Sequence, residues 1–306
     1  MHAKNNKRLL FTVITIVITL IILVVSIFMY YKSESTATEQ TNQTEVKSNN
    51  ESQSSDAEDS NSENQDISSK KDMNRFEGLS MTNENVGIPV LYYHAVGIDH
   101  PGEELWVTPD QLKQQLQLVK DLGYTSLTMS EVNDYIKNNK PIPEKSILIT
   151  FDDGYENNYQ FAYPILKELE LKATIFMVSS YIDKGFYLTS DQIKEMSQNG
   201  IDIESHTIDH VHLNELSYQE QLNQLKKSKS KIESITNKEI FSIAYPYGDY
   251  NEDTTKAAIE AGYSIAFTTN NGLADRNDNS VELNRIYVDS NDSIDILKNK
   301  LINTKK

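Results

Sequence analysis

The sequence has no cysteine in 306 residues. That absence excludes a disulfide framework, a thiolate metal site, a cysteine nucleophile and a lipid-modified cysteine anchor. Any large domain here must hold its core without covalent staples. Clusters of Lys and Arg are also missing, apart from the N-terminal flank Lys4, Lys7 and Arg8 and short pairs such as Lys226-Lys227. With a net charge of −16, the chain is not built to grip phosphate backbones, and nucleic acid is excluded as a partner. No short repeat recurs. From 32 to 85, rich in Ser, Asn, Gln, Glu and Thr, large apolar side chains nearly vanish. Such a stretch cannot bury enough surface to offset its ordering entropy, and it reads as a disordered linker. As a flexible coil of roughly 50 residues it would span about 40 Å.

One apolar run, 9–31, interrupts this polar start. Its length crosses a hydrocarbon core of ~30 Å as a single helix. Charge before the run and little after it places 1–8 in the cytoplasm and the rest outside. A cleaved signal peptide is the rival reading, since Ser33 to Ala37 are small. Its apolar core, roughly 7–15 residues, is shorter than this run. The expectation is a single-pass signal anchor, a linker over 32–85 and an extracellular domain over 86–306. The domain would be secreted if the signal is cleaved, and is expected to act as a monomer.

From 88 onward, short apolar runs alternate with helical patterns. Strands are predicted at 88–93, 125–127, 147–151, 173–178, 201–204, 240–244 and 264–267. Helices are predicted between them, including 109–122 with Thr108 as N-cap and Gly123 as stop, 189–198, 217–235 and 252–261. This α/β alternation implies a parallel sheet with right-handed crossovers. About seven units over roughly 220 residues fit a (β/α) barrel better than an open doubly wound sheet.

Polar residues gather at the carboxyl ends of these strands, the rim where barrels build active sites. Asp152-Asp153-Gly154 ends the run before it, and His206-Thr207-Ile208-Asp209-His210 follows 201–204. Asp-Gly is a common turn pair, and i,i+4 histidines also arise by chance. Together, one Asp and two His make a three-ligand site for a divalent metal with positions left open. Adjacent side chains diverge, so the other Asp is free to act as a base, and the inventory describes metal-assisted hydrolysis. His94 is the other rim histidine, whereas His212 reads as solvated or structural. Tyr245-Pro246-Tyr247-Gly248 is either an ordinary turn or a rigid one that aims a backbone N–H at an oxyanion. Arg285 is a surface charge or the partner of a rim carboxylate. Trp106, the single tryptophan, is core or a platform for stacking sugars.

These motifs, with the run Ala261-Gly262-Tyr263 to Phe267-Thr268-Thr269, resemble the polysaccharide deacetylase family (carbohydrate esterase family 4). The Tyr92-Tyr93-His94 opening is similar to its extracellular poly-N-acetylglucosamine deacetylase branch. The resemblance implies a distorted barrel and a metal, usually zinc, on Asp153, His206 and His210. It implies Asp152 as general base and the Tyr247 backbone N–H in the oxyanion hole. The chain departs from many members in having Ala244 where they have Arg, and no His after His212 where they have an acid. The branch moves the acid to His94, and Arg285 is the candidate replacement for the missing Arg.

The implied reaction is hydrolysis of N-acetyl groups on an N-acetylhexosamine polymer, peptidoglycan or poly-N-acetylglucosamine, releasing acetate. An O-acetyl esterase acting on a xylan-type polymer would use the same machinery. A non-catalytic glycan-binding wall protein is the other alternative, but such a site is expected to lose a ligand or the base, and all four residues are present.

Overall fold

Seven parallel strands close on themselves in a computed structural model that describes residues 74–100 and 102–305. In chain order the strands are β1 (Met81–Thr82), β2 (Val90–Tyr93), β3 (Ala95–Val96), β4 (Trp106–Val107), β5 (Thr125–Ser126) and β6 (Ile142–Pro143). They continue as β7 (Ser146–Phe151), β8 (Ala173–Met177), β9 (Ile201–Ser205), β10 (Ser242–Ala244), β11 (Ile265–Asn271) and β12 (Leu283–Tyr287). The α-helices are α1 (Pro109–Asp121), α2 (Met129–Asn138), α3 (Tyr163–Glu168), α4 (Ser190–Gln198), α5 (Tyr218–Thr236), α6 (Glu252–Glu260) and α7 (Ile294–Asn303). Around the barrel the order is β2, β12, β11, β10, β9, β8, β7 and back to β2. Closure is by β12 on one side of β2, where Ile286 faces Leu91, and β7 on the other, where Leu148 faces Val90.

The helices begin where their caps dictate. Thr108, Thr128, Thr189, Ser217 and Asn251 each form a reciprocal capping box with the residue three positions on. That pairing satisfies amide groups that the first turn leaves open. α1 then buries Leu112, Leu116 and Val119, spaced to line one face. Strand side chains alternate between two cores. Leu91, Ile149, Ile175, Ile203, Ile243 and Ile286 pack outward against the helices. Val90, Leu148, Phe176, Ala244, Phe267 and Leu283 pack inward with one another. Strands buried on both faces are what a helix-wrapped parallel barrel requires.

The count of seven matches the sequence reading, but its membership does not. The predicted strand at 125–127 is β5, which pairs only with the first two residues of β7. The seventh stave is instead β12, at 283–287, which the sequence reading did not place in the sheet. β5 leads into α2, whose Met129, Val132 and Tyr135 fill the inner core from the end where the strands begin. The β5–α2 unit therefore plugs the barrel and is no part of its wall.

The linker boundary also moves. Residues 74–85 are bound to the barrel, although the sequence reading assigned them to a linker ending at 85. β1 pairs antiparallel with β6, and Arg75 is ion-paired with Glu131 and donates to the Ser126 carbonyl. Arg276 donates to the Asn83 carbonyl at 2.6 Å, and the Tyr135 hydroxyl donates to the Glu84 carbonyl at 3.1 Å. The predicted signal anchor and the linker up to 73 lie outside the described residues. Among the described residues no helix is long and apolar enough to cross a membrane.

Candidate metal centre and active site

The inward positions of the staves turn polar at their carboxyl ends. Along β7 the series Leu148, Thr150 is continued by Asp152, and along β12 Leu283 is followed inward by Arg285. Both residues are buried. The Arg285 guanidinium makes two parallel bonds to Asp152, Nη1 to Oδ1 and Nη2 to Oδ2, each 2.8 Å. Its Nε donates to the Thr268 carbonyl at 2.8 Å, and its Cζ sits 4.1 Å above the Tyr92 ring. Of the two readings left open for Arg285, the geometry is that of a partner to a rim carboxylate. Burial alone would raise the Asp152 carboxyl, but Arg285, with help from His206 and His94, holds it below its ordinary value. A carboxylate has about four lone-pair sites, so the guanidinium leaves Asp152 able to accept one more proton.

Asp153 points the other way. Its Oδ1 lies 3.4 Å from His206 Nε2 and 3.1 Å from His210 Nε2. One ligand atom from each of the three residues falls within 4.8 Å of the others. Burial would raise the Asp153 carboxyl, yet the two imidazoles hold it well below the ordinary range. His206 extends β9, with its N–H on the Met177 carbonyl at 2.9 Å, and its Nδ1 lies 2.7 Å from the Ala244 carbonyl. A proton on Nδ1 leaves the Nε2 lone pair facing Asp153, the orientation a metal-binding histidine needs. The donor set therefore fits a divalent ion. Ala244 takes part through its backbone, so the missing Arg side chain at that position costs His206 nothing.

The loops that carry these groups are conformationally unusual. Asp153 (φ 71), Thr207 (φ 67), His210 (φ 53) and Tyr247 (φ 60) all adopt the left-handed region. Each costs of order 1 kcal/mol or more in a non-glycine residue, and such residues collect where function over-determines the backbone. Next to them, Gly154 at φ 75 has no alternative, because a Cβ there would overlap the Met177 sulfur.

His94 follows β2 directly. Its carbonyl accepts from Asn158 Nδ2 at 2.8 Å, while its Nδ1 is buried with no protein partner. Burial lowers its pKa, and Asp152 and Asp153 oppose that shift. Tyr247 is 53% exposed, with its ring edge-on to His210 at 4.5 Å between centroids. His212, read from the sequence as solvated or structural, stacks on the Tyr247 ring at 4.0 Å and 13°. Its Nδ1 lies 2.6 Å from Asp249 Oδ2. This Asp249–His212–Tyr247 stack was not anticipated, since nothing in a lone exposed His signals its stacking partner. Trp106 is half-buried, against the His100 ring at 4.3 Å.

Residues 139–266 match the family model described as polysaccharide deacetylase. A Bacillus subtilis protein assigned as a polysaccharide deacetylase, YxkH, is 41% identical over 207 residues, covering 68% of this chain and 73% of its own. The poly-beta-1,6-N-acetyl-D-glucosamine N-deacetylase of Staphylococcus epidermidis is 30% identical over 205 residues, covering 62% of this chain and 70% of its own. The solved Streptococcus pyogenes deacetylase PplD, in complex with acetate, superposes with a TM-score of 0.68 at 36% identity, covering 71% of this chain and 99% of that one.

Proposed function

Because this chain belongs to the polysaccharide deacetylase family, we propose that its rim site hydrolyses N-acetyl groups on an N-acetylhexosamine polymer with a divalent ion held by Asp153, His206 and His210. The observation that carries this reading is the division of labour between neighbouring carboxylates. Asp153 converges with two imidazoles, while Asp152 is turned to Arg285 and left out of the ligand set. The reading draws its substrate class from relatives named as deacetylases of poly-N-acetylglucosamine and from a similar deacetylase that holds acetate.

In this reaction the ion, when bound, supplies a Lewis acid beside the acyl group and makes an adjacent water more acidic. Asp152 takes a proton from the attacking water as its oxygen bonds to the acetyl carbon. The Tyr247 backbone N–H donates to the carbonyl oxygen as it gains negative charge. His94 gives a proton to the sugar nitrogen as the C–N bond breaks, which an amine leaving group requires. Acetate and a free amino sugar leave, and the glycosidic bond is untouched. Arg285 keeps Asp152 ionised and fixes its plane. Zinc suits a set of two imidazoles and one carboxylate. The apolar run 9–31 supports a membrane-tethered placement, with the barrel outside facing peptidoglycan or poly-N-acetylglucosamine.

The test is acetate release by the full chain from a panel of acetylated polymers, before and after a chelator, with element analysis of the purified protein. Activity on N-acetylated polymers that the chelator abolishes and zinc restores is the expected result. Iron in the protein would change the metal, because the same donor set also takes it. His206→Ala should lose both metal and turnover while keeping its far-ultraviolet circular dichroism. Full metal content in that variant would refute the ligand set.

A further inference from the structure

The turn that carries Tyr247 is held from one side by His212 and Asp249, which belong neither to the ligand set nor to the reaction. Tyr247 sits in the left-handed region, at φ 60 and ψ −1. A non-glycine residue there is strained, and it keeps that conformation only where its surroundings enforce it. The main chain supplies part of the restraint. The Gly248 N–H donates to the Tyr245 carbonyl at 2.9 Å, and the Asp249 N–H donates to the Pro246 carbonyl at 3.1 Å. Thr269 Oγ1 donates to the Tyr247 carbonyl at 3.3 Å. Core packing adds little, because Tyr247 is 53% exposed.

What grips the ring is a pair of histidines. His210 meets it edge-on at 4.5 Å between centroids, and His212 lies along it at 4.0 Å and 13°. His212 is fixed in turn by Asp249, whose Oδ2 is 2.6 Å from its Nδ1. A carboxylate only accepts, so Nδ1 donates, and that bond sets the plane of the imidazole. Asp249 lies two residues beyond Tyr247, so the path from phenol ring to imidazole to carboxylate closes back on the same turn. Nearby, Asn251 Nδ2 donates to the Asn214 carbonyl at 3.2 Å and ties the same two segments a second time. Stability does not account for the arrangement. The His212 and Asp249 side chains are 45% and 38% exposed, and an exposed pair contributes little to a fold. Aromatic pairs do hold one another in defined geometries, and here the ring so held belongs to the strained residue.

We infer that His212 and Asp249 are positioning residues that clamp the Tyr247 ring and so fix the backbone N–H aimed at the forming oxyanion. This rests on the deacetylase reading, to which it adds what keeps the oxyanion donor in place. His212 lies outside the group Asp153, His206 and His210, so its effect runs through Tyr247 and not through the metal. Because the clamped ring also touches His210, the clamp joins the oxyanion turn to the ligand loop.

The test measures kcat and KM for acetate release by the full chain, its zinc content, and hydrogen exchange over 246–250 by mass spectrometry. His212→Ala and Asp249→Ala carry little risk to folding, since both side chains reach solvent. Each should lower kcat by about tenfold, a fraction of the roughly 10²–10³ that outright loss of an oxyanion donor costs. KM and zinc content should stay as in the native protein, and exchange over 246–250 should quicken while α1 remains protected. His212→Phe keeps a ring on Tyr247 and should recover much of the lost kcat. Native kcat or native exchange in both alanine variants would overturn the clamp, as would zinc loss in His212→Ala. A kcat loss that His212→Phe does not recover at all would also overturn it, because the imidazole would then act on the substrate itself. A native protein that releases no acetate, yet whose 246–250 exchange quickens in both variants, would keep the clamp on the turn and remove the deacetylase reading.

Discussion

Replacing Arg285 by Met tests the link between fold and chemistry most directly. The guanidinium is 1% exposed and makes two 2.8 Å bonds to a carboxylate that is itself 2% exposed. Met fills much of the same space but leaves Asp152 buried without its main counter-charge. Breaking a buried pair from one side costs about 3–5 kcal/mol at neutral pH. The cost should depend on pH with a definite sign. In the native protein the folded Asp152 carboxyl lies below its ordinary value of 3.8, so its contribution is present above that value and lost as pH falls through the folded one. In Arg285→Met, burial meets only the weaker help of His206 and His94, and the carboxyl moves up. The variant then loses stability as pH rises through the new value, and its deficit against the native protein shrinks in acid. Urea unfolding at neutral and mildly acidic pH measures both deficits. In an Asp152→Asn background the same substitution should cost far less, because the charge it strands is gone. The acid limb of kcat/KM should move to higher pH in Arg285→Met. An equal deficit at both pH values, or simple additivity with Asp152→Asn, would refute the pairing argument.

Two further outcomes are expected. His94→Ala should slow amide hydrolysis by about 10²-fold while sparing much of the rate on an activated acetyl ester, whose leaving group needs no proton. Equal losses on both would assign His94 to shaping the site and not to proton donation. Glu204, 3% exposed inside the barrel, is pushed well above 4.5 by burial, with Asp202 adding to the shift despite bonds from the Phe241 and Ser242 N–H groups. A raised carboxyl favours the folded state below 4.5, and that advantage is lost as pH rises through the folded value. Glu204→Gln keeps the acceptor and cannot ionise, so it should be more stable than the native protein at neutral pH and lose that lead in acid. A constant difference across pH would mean that Glu204 is not protonated in the fold.

Much of the site could be read from the sequence because its residues lie next to strong strand signals. Asp152 and Asp153 follow the largely apolar run 147–151, His206 follows the alternating segment Ile201-Asp202-Ile203-Glu204-Ser205, and the turn chemistry around them is local. β12 escaped because Asn284 and Arg285 interrupt the apolar pattern of Leu283-Asn284-Arg285-Ile286-Tyr287. The inward position that should read as core holds a guanidinium paired with Asp152, so a buried ion pair erased the periodicity that marks a strand. β5 was counted as a stave because three residues at 125–127 look alike whether they pair with one neighbour or two. Residues 74–85 looked disordered because what fastens them is polar. Arg75 reaches out to the Ser126 carbonyl while Tyr135 and Arg276 reach in from distant segments, and hydrogen bonds of that kind leave no trace in composition.

The closing of the barrel by β12 against β2 has a consequence for how the protein comes into being. A chain made from its N-terminus produces Asp152, Asp153, His206 and His210 well before Arg285. Until β12 finds β2, pairing Ile286 with Leu91 across most of the domain, the barrel has an open seam and Asp152 has no guanidinium. That pairing is long-range, hence slow to form relative to local contacts. The last stave of the barrel and the counter-charge of Asp152 arrive on the same strand. Nascent and prematurely ended chains therefore carry all three side chains of the candidate metal centre before the stave that closes the barrel and pairs Asp152 is in place.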